Sequence, residues 1–303
     1  MKLILMKGLP GCGKSSLAEK IMKESGGTVR LNKDLLREML HFNKFTGKNE
    51  GLTRMIQRDI ARTFLEQGLN VIIDDTNLNP SIVESWKSLA QDVGANLDIK
   101  DLTSVDVETC IGRDWGREKQ VGYHVIKKMA LQYLNYMEGE NVVVCDLDGT
   151  LADIEKRRHL VQGEKKWKEF FEAIPTDTLR SEVLAQVKKV ALENDAKIIL
   201  VSARPENYRR ITTEWLVSNG ICLVERPGHG VWNVDPKDRV PYELLIMRNS
   251  NDTRPDTEVK AEIVDNYLSK LNIVAWFDDR PSVIRTIREK GINVIDVGDG
   301  KEF

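Results

Sequence analysis

The sequence predicts an α/β protein with two domains, each a doubly wound parallel sheet with helices on both faces. The chain has 303 residues, enough for two domains of ordinary size. Short runs rich in apolar and β-branched residues alternate with longer amphipathic stretches, a pattern typical of parallel sheets. The pattern restarts near residues 137–144, "MEGENVVV", where we place the domain boundary.

In the first half, predicted strands and helices alternate almost regularly. Apolar runs predict strands over residues 2–6, 28–31, 70–74 and 96–102. Amphipathic stretches predict helices over residues 14–24, 34–41, 51–67, 80–93, 106–117 and 121–138. The first domain is therefore predicted to span residues 1–138.

The second half repeats the alternation with a new set of elements. Its predicted strands cover residues 141–146, 197–202, 221–225, 243–247, 273–278 and 293–297. Its predicted helices cover residues 166–173, 179–194, 206–219, 257–270 and 281–290. The second domain is therefore predicted to span residues 141–303, with a mostly parallel sheet.

Composition excludes several classes of protein. No apolar run approaches the ~20 residues that a membrane-spanning helix needs, and the N-terminus does not read as a signal peptide, so no membrane association is expected. The four cysteines lie far apart without a CxxC pair, which indicates reduced thiols of a cytoplasmic protein. The net charge of −2 excludes a basic nucleic-acid coat.

Residues 8–16, "GLPGCGKSS", contain the pattern G-x-x-x-x-G-K-[ST] between a predicted strand and a predicted helix. In that context glycines let backbone N–H groups surround nucleotide phosphates, a lysine reaches the β and γ phosphates, and a hydroxyl ligates Mg²⁺. The alternative is a plain glycine-rich turn. The candidate ATP-binding residues of the loop are Gly8, Gly11, Gly13, Lys14, Ser15 and Ser16.

A phosphoryl acceptor and a base are expected near this loop. Asp34 follows the second strand, and Arg37 lies three residues later on the same helical face. Asp34 could accept the proton of an attacking hydroxyl, and Arg37 could hold a phosphate of the acceptor. The alternative, a favourable anion in the first turn of a helix, is equally consistent with the spacing.

Two further groups could complete this first site. Asp75 ends the third strand at the sheet edge where ligands bind, while Asp74 is expected to face solvent. Arg113 and Arg117 lie one helical turn apart and suit a lid over a triphosphate. A solvated helix face is the plainer interpretation of that arginine pair.

Residues 142–153, "VVVCDLDGTLAD", place Asp146 and Asp148 on one face of an extended chain before a turn at Gly149. One carboxylate can attack phosphorus to form an aspartyl-phosphate, and the other can act as general acid and base. Two anions facing a phosphate require a divalent cation. The alternative is a polar strand end before a tight turn.

Two later strands bring further polar side chains to the same edge. Ser202 and Arg204 follow "KIILV", and Asp278 and Asp279 follow "IVAWF", while Lys260 could neutralise a phosphate. Three strand ends with polar side chains of this kind indicate the aspartyl-phosphate chemistry more specifically than the DxDGT motif alone. The candidate metal ligands of both sites are Ser15, Asp146, Asp148, Asp278 and Asp279.

Some charged residues stay ambiguous at this level. Arg157 could grip a polynucleotide phosphate, although a surface charge run is the commoner explanation. Asp252 and Arg254 could contact substrate or stabilise a loop. Only one or two extra helices fit between Asp148 and Ser202, so we expect the entrance to this second site to be open enough to admit the end of a polymer.

Taken together, these motifs resemble the phage-type bifunctional polynucleotide 5′-kinase/3′-phosphatase family, in which a P-loop kinase precedes a haloacid-dehalogenase-like phosphatase. The resemblance covers essentially the whole chain. "DTNLNP" and "RPDTEVK" are its specific motifs, since many enzymes share the P-loop and DxDGT. It implies ATP and Mg²⁺ as cofactors, DNA or RNA ends as substrates, and sealing by a separate ligase.

The resemblance also implies a role for each candidate residue. In the kinase, Asp34 is the general base on the 5′-hydroxyl, Arg37 engages the acceptor's phosphate, and Asp75 helps to position it. Arg113 and Arg117 belong to the lid. In the phosphatase, Asp146 is the nucleophile and Asp148 the acid and base, and the residues that act on the phosphate are Ser202, Arg204 and Lys260.

Other functions stay open from the sequence. One is a bifunctional kinase/phosphatase of a small metabolite, and another is a non-catalytic sensor of nucleic-acid ends. The intact Lys14, Asp34, Asp146 and Asp148 argue against a pure sensor. A single active domain and a homo-oligomer are both compatible with the sequence.

Overall fold

The computed structural model describes residues 1–223, 240–300 and 302. The chain divides into two compact units, Met1–Tyr136 and Met137–Phe303, each with its own parallel sheet. The predicted α/β class is confirmed. The end of the predicted strand 221–225 lies outside the described residues. Within the described part, no helix combines the length and apolar character needed to cross a membrane.

The first unit follows the predicted alternation, with two successive helices after its second strand. Its strands are β1 (Lys2–Lys7), β2 (Thr28–Leu31), β3 (Asn70–Ile73) and β4 (Asn96–Asp101). Its helices are α1 (Lys14–Glu24), α2 (Lys33–His41), α3 (Gly47–Glu66), α4 (Pro80–Asp92), α5 (Val107–Trp115) and α6 (Tyr123–Tyr133).

The first sheet is parallel throughout, in the order β2-β3-β1-β4. Alternation along β1 fills both of its faces. Leu3 and Leu5 belong to one apolar cluster with residues of α3 and α4, whereas Ile4 and Met6 join Ala18 of α1 in another. Helices therefore cover both faces, and the carboxyl ends of β1, β2 and β3 meet at one edge.

The second unit has a longer series of elements. Its strands are β5 (Asn141–Asp146), β6 (Ala152–Asp153), β7 (Thr178–Leu179), β8 (Lys197–Pro205), β9 (Ile221–Leu223), β10 (Val240–Tyr242), β11 (Leu244–Arg248), β12 (Asn272–Asp278) and β13 (Val294–Asp296). Its helices are α7 (Glu155–Arg158), α8 (Trp167–Glu172), α9 (Ser181–Glu193), α10 (Arg209–Ser218), α11 (Asp256–Ile263) and α12 (Pro281–Glu289).

The main sheet of this unit is parallel, in the order β11-β8-β5-β12-β13. β5 lies at the centre between β8 and β12, so the ends of these three strands are neighbours. The sequence did not predict the antiparallel pair of β6 and β7, whose two-residue strands are too short for a periodicity to appear. The short helices α7 and α8 lie between that pair in the chain.

Three predicted helices end earlier than expected. α5 ends at Trp115 because Gly116 is its C-cap, and α6 ends at Tyr133 because Leu134 is extended. α11 ends at Ile263 and continues as one π-helical turn, Val264–Leu268, within the predicted helix 257–270. The amphipathic pattern of a sequence does not by itself locate the last residue of a helix.

Candidate active sites

The loop between β1 and α1 has the backbone shape that its glycines predict. Gly8, Gly11 and Gly13 all have positive φ angles, of 152°, 84° and 102°. A Cβ atom at Gly11 would lie 2.1 Å from the carbonyl oxygen of Cys110, so α5 approaches the loop too closely for any side chain there. The loop is thus packed against α5, and this close approach of two backbones is possible only because residue 11 is glycine.

Gly11→Ala is expected to lower the free energy of unfolding by about 1–3 kcal/mol and to impair nucleotide binding. The physical reason is the combination of a positive φ angle with the clash against Cys110. Urea denaturation and calorimetric titration with ATP measure the two effects. Gly26→Ala is the matched control, because Gly26 has open space around it; an equal loss in both variants would contradict the argument.

Lys14 lies folded back onto its own loop. Its Nζ donates hydrogen bonds to the carbonyl oxygens of Gly8 at 2.9 Å and Leu9 at 2.6 Å, and its side chain is buried. Burial lowers the pKa of Lys14, although Cys12 and Asp74 oppose this shift. Nζ also donates to Sγ of Cys12 at 3.6 Å. An ammonium that is bonded to carbonyl groups and a thiol, with no carboxylate partner in its hydrogen bonds, can exchange these partners for phosphate oxygens. Ser15 is half-buried and Ser16 is exposed at the start of α1.

Asp74, the first of the two aspartates that follow β3, differs from its prediction. Asp74 does not face solvent: it is buried, and its Oδ2 accepts hydrogen bonds from Arg30, one of them 2.9 Å long from Nε. Within the described residues its Oδ1 is a buried acceptor without a donor. The sequence failed here because a strand's last residue points inward or outward according to the neighbouring strands.

Asp75 connects three elements of the first unit. Its Oδ1 accepts from the backbone N–H of Lys33 at 2.9 Å, and its Oδ2 accepts from Nε2 of Gln57 at 2.8 Å. Burial raises the pKa of Asp75, while these donors oppose the shift. Since the N–H of Gly8 donates to the carbonyl oxygen of Thr76 at 2.9 Å, the phosphate loop, the end of β3 and the start of α2 are joined.

Asp34 and Arg37 lie in contact, as their spacing predicts. Nη1 of Arg37 is 2.7 Å from Oδ1 of Asp34, and Nε of Arg37 bonds Glu50 of α3. The Asp34 side chain is 75% exposed, so it can meet an incoming hydroxyl, whereas Arg37 and Glu50 are mostly buried. Glu50, which sequence reasoning missed, also pairs with Lys33 at 3.3 Å and fixes the start of α2.

Arg113 and Arg117 do not share a helix as predicted. Arg113 belongs to α5, while Arg117 follows the Gly116 cap and pairs with buried Asp114 at 3.6 Å. Nη1 of Arg113 donates to the carbonyl oxygen of Cys12 at 3.5 Å, which places it over the phosphate loop. Both arginines are exposed, and the charge of Arg117 contributes to the lowered pKa of Lys14.

In the second unit, Asp146 ends the central strand and lies against Lys260 of α11. Lys260 Nζ is 2.9 Å from Oδ1 of Asp146 and 2.7 Å from Oδ2 of Asp278 at the end of β12. Burial raises the pKa of Asp146 well above its usual value, although Lys260 opposes this. Burial alone would lower the pKa of Lys260, but the two carboxylates outweigh it and raise that pKa.

Asp146, Asp278 and Asp279 form a buried acidic cluster. One ligand atom from each of these residues lies within 4.8 Å of the others. Burial, followed by repulsion from Asp278, raises the pKa of Asp279 to about 6, although Thr150 Oγ1 donates to Asp279 at 3.0 Å. A Cβ atom at Gly149 would lie 2.0 Å from this carboxylate, which explains the glycine of the DxDGT motif.

Asp148 lies outside that acidic cluster. Its Oδ1 accepts from Nη2 of Arg157 at 2.6 Å and from Nε of Arg204 at 2.9 Å. Burial alone would raise the pKa of Asp148, but Arg204 and Arg157 outweigh it and hold that pKa well below its usual value. The structure therefore places this carboxylate, predicted as a metal ligand, against two cations instead.

Arg157 is neither part of a surface charge run nor free to grip a polymer. It is fully buried, its guanidinium lies 4.1 Å from the centre of the Phe170 ring, and it donates twice to Asp177 at 2.7 Å. Arg204 donates to the same Asp177 at 3.3 Å. Asp177 had no motif to reveal it, because its contacts depend on the fold of the β6–β7 insertion.

Arg157→Ala is expected to lower the free energy of unfolding of the second unit by about 3–5 kcal/mol. The substitution leaves Asp148 and Asp177 buried with one fewer cation. Urea denaturation monitored by tryptophan fluorescence measures the loss. Arg158→Ala is the control, because Arg158 pairs with the exposed Glu155 and should cost less than about 1 kcal/mol. Comparable losses in both variants would contradict a buried ionic network.

The remaining predicted residues occupy the same strand ends. Ser202 is buried beyond the residue that pairs with Asp146, and its Oγ accepts from the N–H of Arg204 at 3.2 Å. Trp276 is buried on β12 and donates from Nε1 to Asp278 at 3.0 Å. Asp252 pairs with Arg254 at 2.6 Å, which supports its loop-stabilising interpretation.

Two protein families match the chain, one on each side of the boundary between the two compact units. Residues 140–302 match the family described as the polynucleotide kinase PNKP phosphatase domain. Residues 3–135 match a family of AAA domains.

Two relatives and one solved structure are similar to the chain. A relative from Autographa californica nuclear polyhedrosis virus, named a bifunctional polynucleotide kinase/RNA ligase, is 26% identical over 94% of this chain, which spans only 40% of that relative. An adenylate kinase of Mesoplasma florum is 29% identical over 48% of this chain and 71% of its own length. A structure of a Pnkp1/Rnl/Hen1 complex has 25% identity and a TM-score of 0.40, with coverage of 99% and 97%.

Proposed function

Because the chain belongs to the family of polynucleotide kinase PNKP phosphatase domains over residues 140–302, we propose that it heals broken nucleic-acid ends. It transfers the γ-phosphate of ATP to 5′-hydroxyl ends and removes phosphate from 3′ ends. The observation that carries this proposal is the presence in one chain of two separate groups of residues whose chemistry suits phosphate. One is the glycine loop with Lys14, and the other is the carboxylate cluster around Asp146.

In the kinase reaction, the loop from Gly8 to Ser15 holds the ATP phosphates, and Lys14 leaves its carbonyl partners for the β and γ phosphates. Asp34 accepts the proton of the 5′-hydroxyl, whose oxygen bonds to the γ phosphorus while the bond to ADP breaks. Arg37 binds a phosphate of the acceptor. Arg113, which lies over the loop, neutralises the developing charge.

Asp75 and Glu50 act in this proposal as positioning residues. Asp75 bonds the first N–H of α2 and thereby fixes the place of Asp34 relative to the phosphate loop. Glu50 holds Arg37 and Lys33 from α3. The exposed Asp34 then faces the acceptor from a helix that is anchored at two points.

In the phosphatase reaction, the carboxylate of Asp146 attacks the 3′-phosphate, and the bond from phosphorus to the sugar oxygen breaks. Asp148 supplies a proton to that oxygen and then removes one from the water that cleaves the aspartyl-phosphate. Arg204 and Arg157 hold the pKa of Asp148 low, so the negative charge of the bound phosphate has to raise that pKa before Asp148 can carry the proton. Lys260 and Ser202 bind the oxygens of the 3′-phosphate.

The acidic cluster fits a divalent cation. Three buried carboxylates meet with Lys260 as the nearest cation, and oxygen ligands of this kind suit Mg²⁺. Asp146, Asp278 and Asp279 would hold the ion, which supplies charge neutralisation for the approach of a phosphate. In the kinase site, Ser15 would be a ligand of the ion that accompanies ATP.

Without nucleotide, Mg²⁺ is expected to raise the melting temperature of the wild type but not that of Asp278→Asn, because the variant lacks one of three clustered carboxylates. EDTA is expected to abolish the phosphatase activity of the wild type. Differential scanning fluorimetry and phosphate release measure the two effects. Asp265→Asn, at an exposed pair with Lys290, should keep the Mg²⁺ shift; its loss there would argue against this cluster.

A paired end assay tests the whole proposal. Oligonucleotides of DNA and RNA with a 5′-hydroxyl or a 3′-phosphate are incubated with labelled ATP and Mg²⁺, beside nucleosides and free sugars. The expected result is label on the 5′ ends and release of phosphate from the 3′ ends. Label on a nucleoside or sugar, with oligonucleotides untouched, would favour a metabolite enzyme and overturn the proposal.

The healed ends would be substrates for a ligase. The viral relative is named as a polynucleotide kinase joined to an RNA ligase, and it is longer than this chain. A 5′-phosphate beside a 3′-hydroxyl is the product pair that sealing requires. We therefore include cooperation with a separate ligase in the proposed function.

A further inference from the structure

Large apolar side chains are exposed beside the acceptor residues of the first unit. Leu35, Met39, Phe42 and Phe45 have exposed fractions of 59%, 69%, 95% and 62%. These four residues are called the α2 apolar surface below. Single exposed hydrophobic residues need no explanation, but several within eleven residues indicate a binding surface.

The backbone at Phe42 reinforces this observation. Phe42 is the C-cap of α2 with a φ angle of 48° and a ψ angle of 42°, in the left-handed region, and Asn43 follows with a φ angle of 60°. Glycine or asparagine ordinarily occupies such a cap. A phenylalanine that is almost fully exposed on a left-handed backbone contributes nothing to the core, so its ring is available for an external partner.

The surface is continuous with the proposed acceptor site. Leu35 and Met39 lie on α2 between and after Asp34 and Arg37. The guanidinium of Arg37 lies 5.3 Å from the centre of the Phe45 ring. A polymer whose 5′ end reaches Asp34 and Arg37 therefore has this surface within its first few nucleotides.

The local charge favours a polyanion as the occupant. Residues 33–48 contain four lysines and arginines but two acidic residues, whereas the whole chain has a net charge of −2. Lys44 and Lys48 flank Phe45 and are exposed, and neither has an ion-pair partner among the described residues. Exposed aromatic rings between basic side chains are the arrangement that binds single-stranded nucleic acid through base stacking and phosphate contacts.

We propose that the α2 apolar surface binds the unpaired bases next to the 5′ end of a single-stranded polynucleotide, with Lys44 and Lys48 on its phosphates. This inference rests on the proposed function and adds to it a site for substrate beyond the reacting nucleotide. It makes a single-stranded end, rather than a free nucleotide, the preferred acceptor.

Binding without ATP tests the inference directly. The probe is a fluorescein-labelled single-stranded oligonucleotide of about ten nucleotides with a 5′-hydroxyl, followed by fluorescence anisotropy. Phe42→Ala is expected to weaken binding about tenfold, as for the loss of one base stack, whereas Phe42→Trp keeps the affinity. Leu192→Ala, at an 80% exposed position of the second unit, is the matched control and should leave binding unchanged.

Two further measurements identify the contact. Lys44→Ala and Lys48→Ala should each reduce the slope of log affinity against log salt by about 0.7. In kinase assays, Phe42→Ala should raise KM for the oligonucleotide about tenfold relative to KM for a nucleoside 3′-monophosphate. Unchanged affinity, salt slope and KM ratio in these variants would overturn the inference.

Further outcomes distinguish this inference from three alternatives: coverage of the surface by a second copy of the chain, failure of the proposed kinase function, and misfolding of the variant. If a second copy of the chain covers the surface, Phe42→Ala will change the mass measured by light scattering while oligonucleotide affinity stays constant, and the inference is wrong. If the wild type binds the oligonucleotide through Phe42 but never phosphorylates it, the proposed kinase function fails instead. Unchanged circular dichroism and phosphate release in Phe42→Ala exclude misfolding as the cause of a loss.

Discussion

Asp146→Asn is expected to reduce 3′-phosphatase activity by about 10⁴-fold or more while kinase activity stays at the wild-type level. The amide keeps the size of the carboxylate but cannot attack phosphorus. The carboxylate of Asp146 lies at the end of β5, 2.9 Å from Lys260, the cation proposed to bind the phosphate. Release of inorganic phosphate from a 3′-phosphorylated oligonucleotide, beside transfer from labelled ATP to a 5′-hydroxyl oligonucleotide, measures both activities.

The matched control for this variant is Asp195→Asn. Asp195 is an exposed residue after α9 in the same unit, with no contact to the acidic cluster. Both activities should survive that change. If Asp146→Asn kept its phosphatase activity, or lost the kinase activity as well, the assignment of two independent sites would be wrong.

Lys14→Ala is expected to show the opposite pattern, with kinase activity reduced at least about 10²-fold and phosphatase activity unchanged. The lysine is the buried cation of the phosphate loop, and its removal deprives the transferred phosphoryl group of a positive charge. The same paired assay measures the result, with ATP binding followed by calorimetry.

Lys20→Ala provides the comparison for the kinase variant. Lys20 lies on the same helix, α1, but is exposed and pairs with Glu24 at 3.9 Å. Its removal should leave both activities intact. Equal kinase losses in the two variants would indicate a general effect on α1 rather than a specific contact of Lys14 with phosphate.

Local patterns predicted most of the fold because each element carries its own periodicity. β1 alternates between two apolar clusters, and "GLPGCGKSS" requires glycines wherever the chain turns with positive φ. The parallel direction of the strands was also predicted from these patterns, although the strand order was not, and polar strand ends in a parallel sheet meet at one edge. The meeting of Asp146, Ser202 and Asp278 at the ends of neighbouring strands was predictable on this ground.

The surroundings of each charged group were not predictable in this way. Asp74 was expected in solvent but is buried against Arg30, and Arg157 was expected at the surface but is fully buried. Burial and ion pairing depend on residues distant in sequence, such as Asp177, which lies 20 positions from Arg157. A short-range pattern does not contain that information.

From the sequence alone came the two domains, the order of most of their elements, the phosphate loop and the carboxylates of the second site. Each follows from interactions within a few residues, or from the rule that parallel strands end together. Only the tertiary structure decided that Asp148 faces two arginines while Asp146, Asp278 and Asp279 converge. That difference arises because the strength of an electrostatic interaction depends on the distance between the charges in space. The fold sets this distance, even between residues as far apart in the chain as Asp146 and Asp279, which are separated by 133 positions.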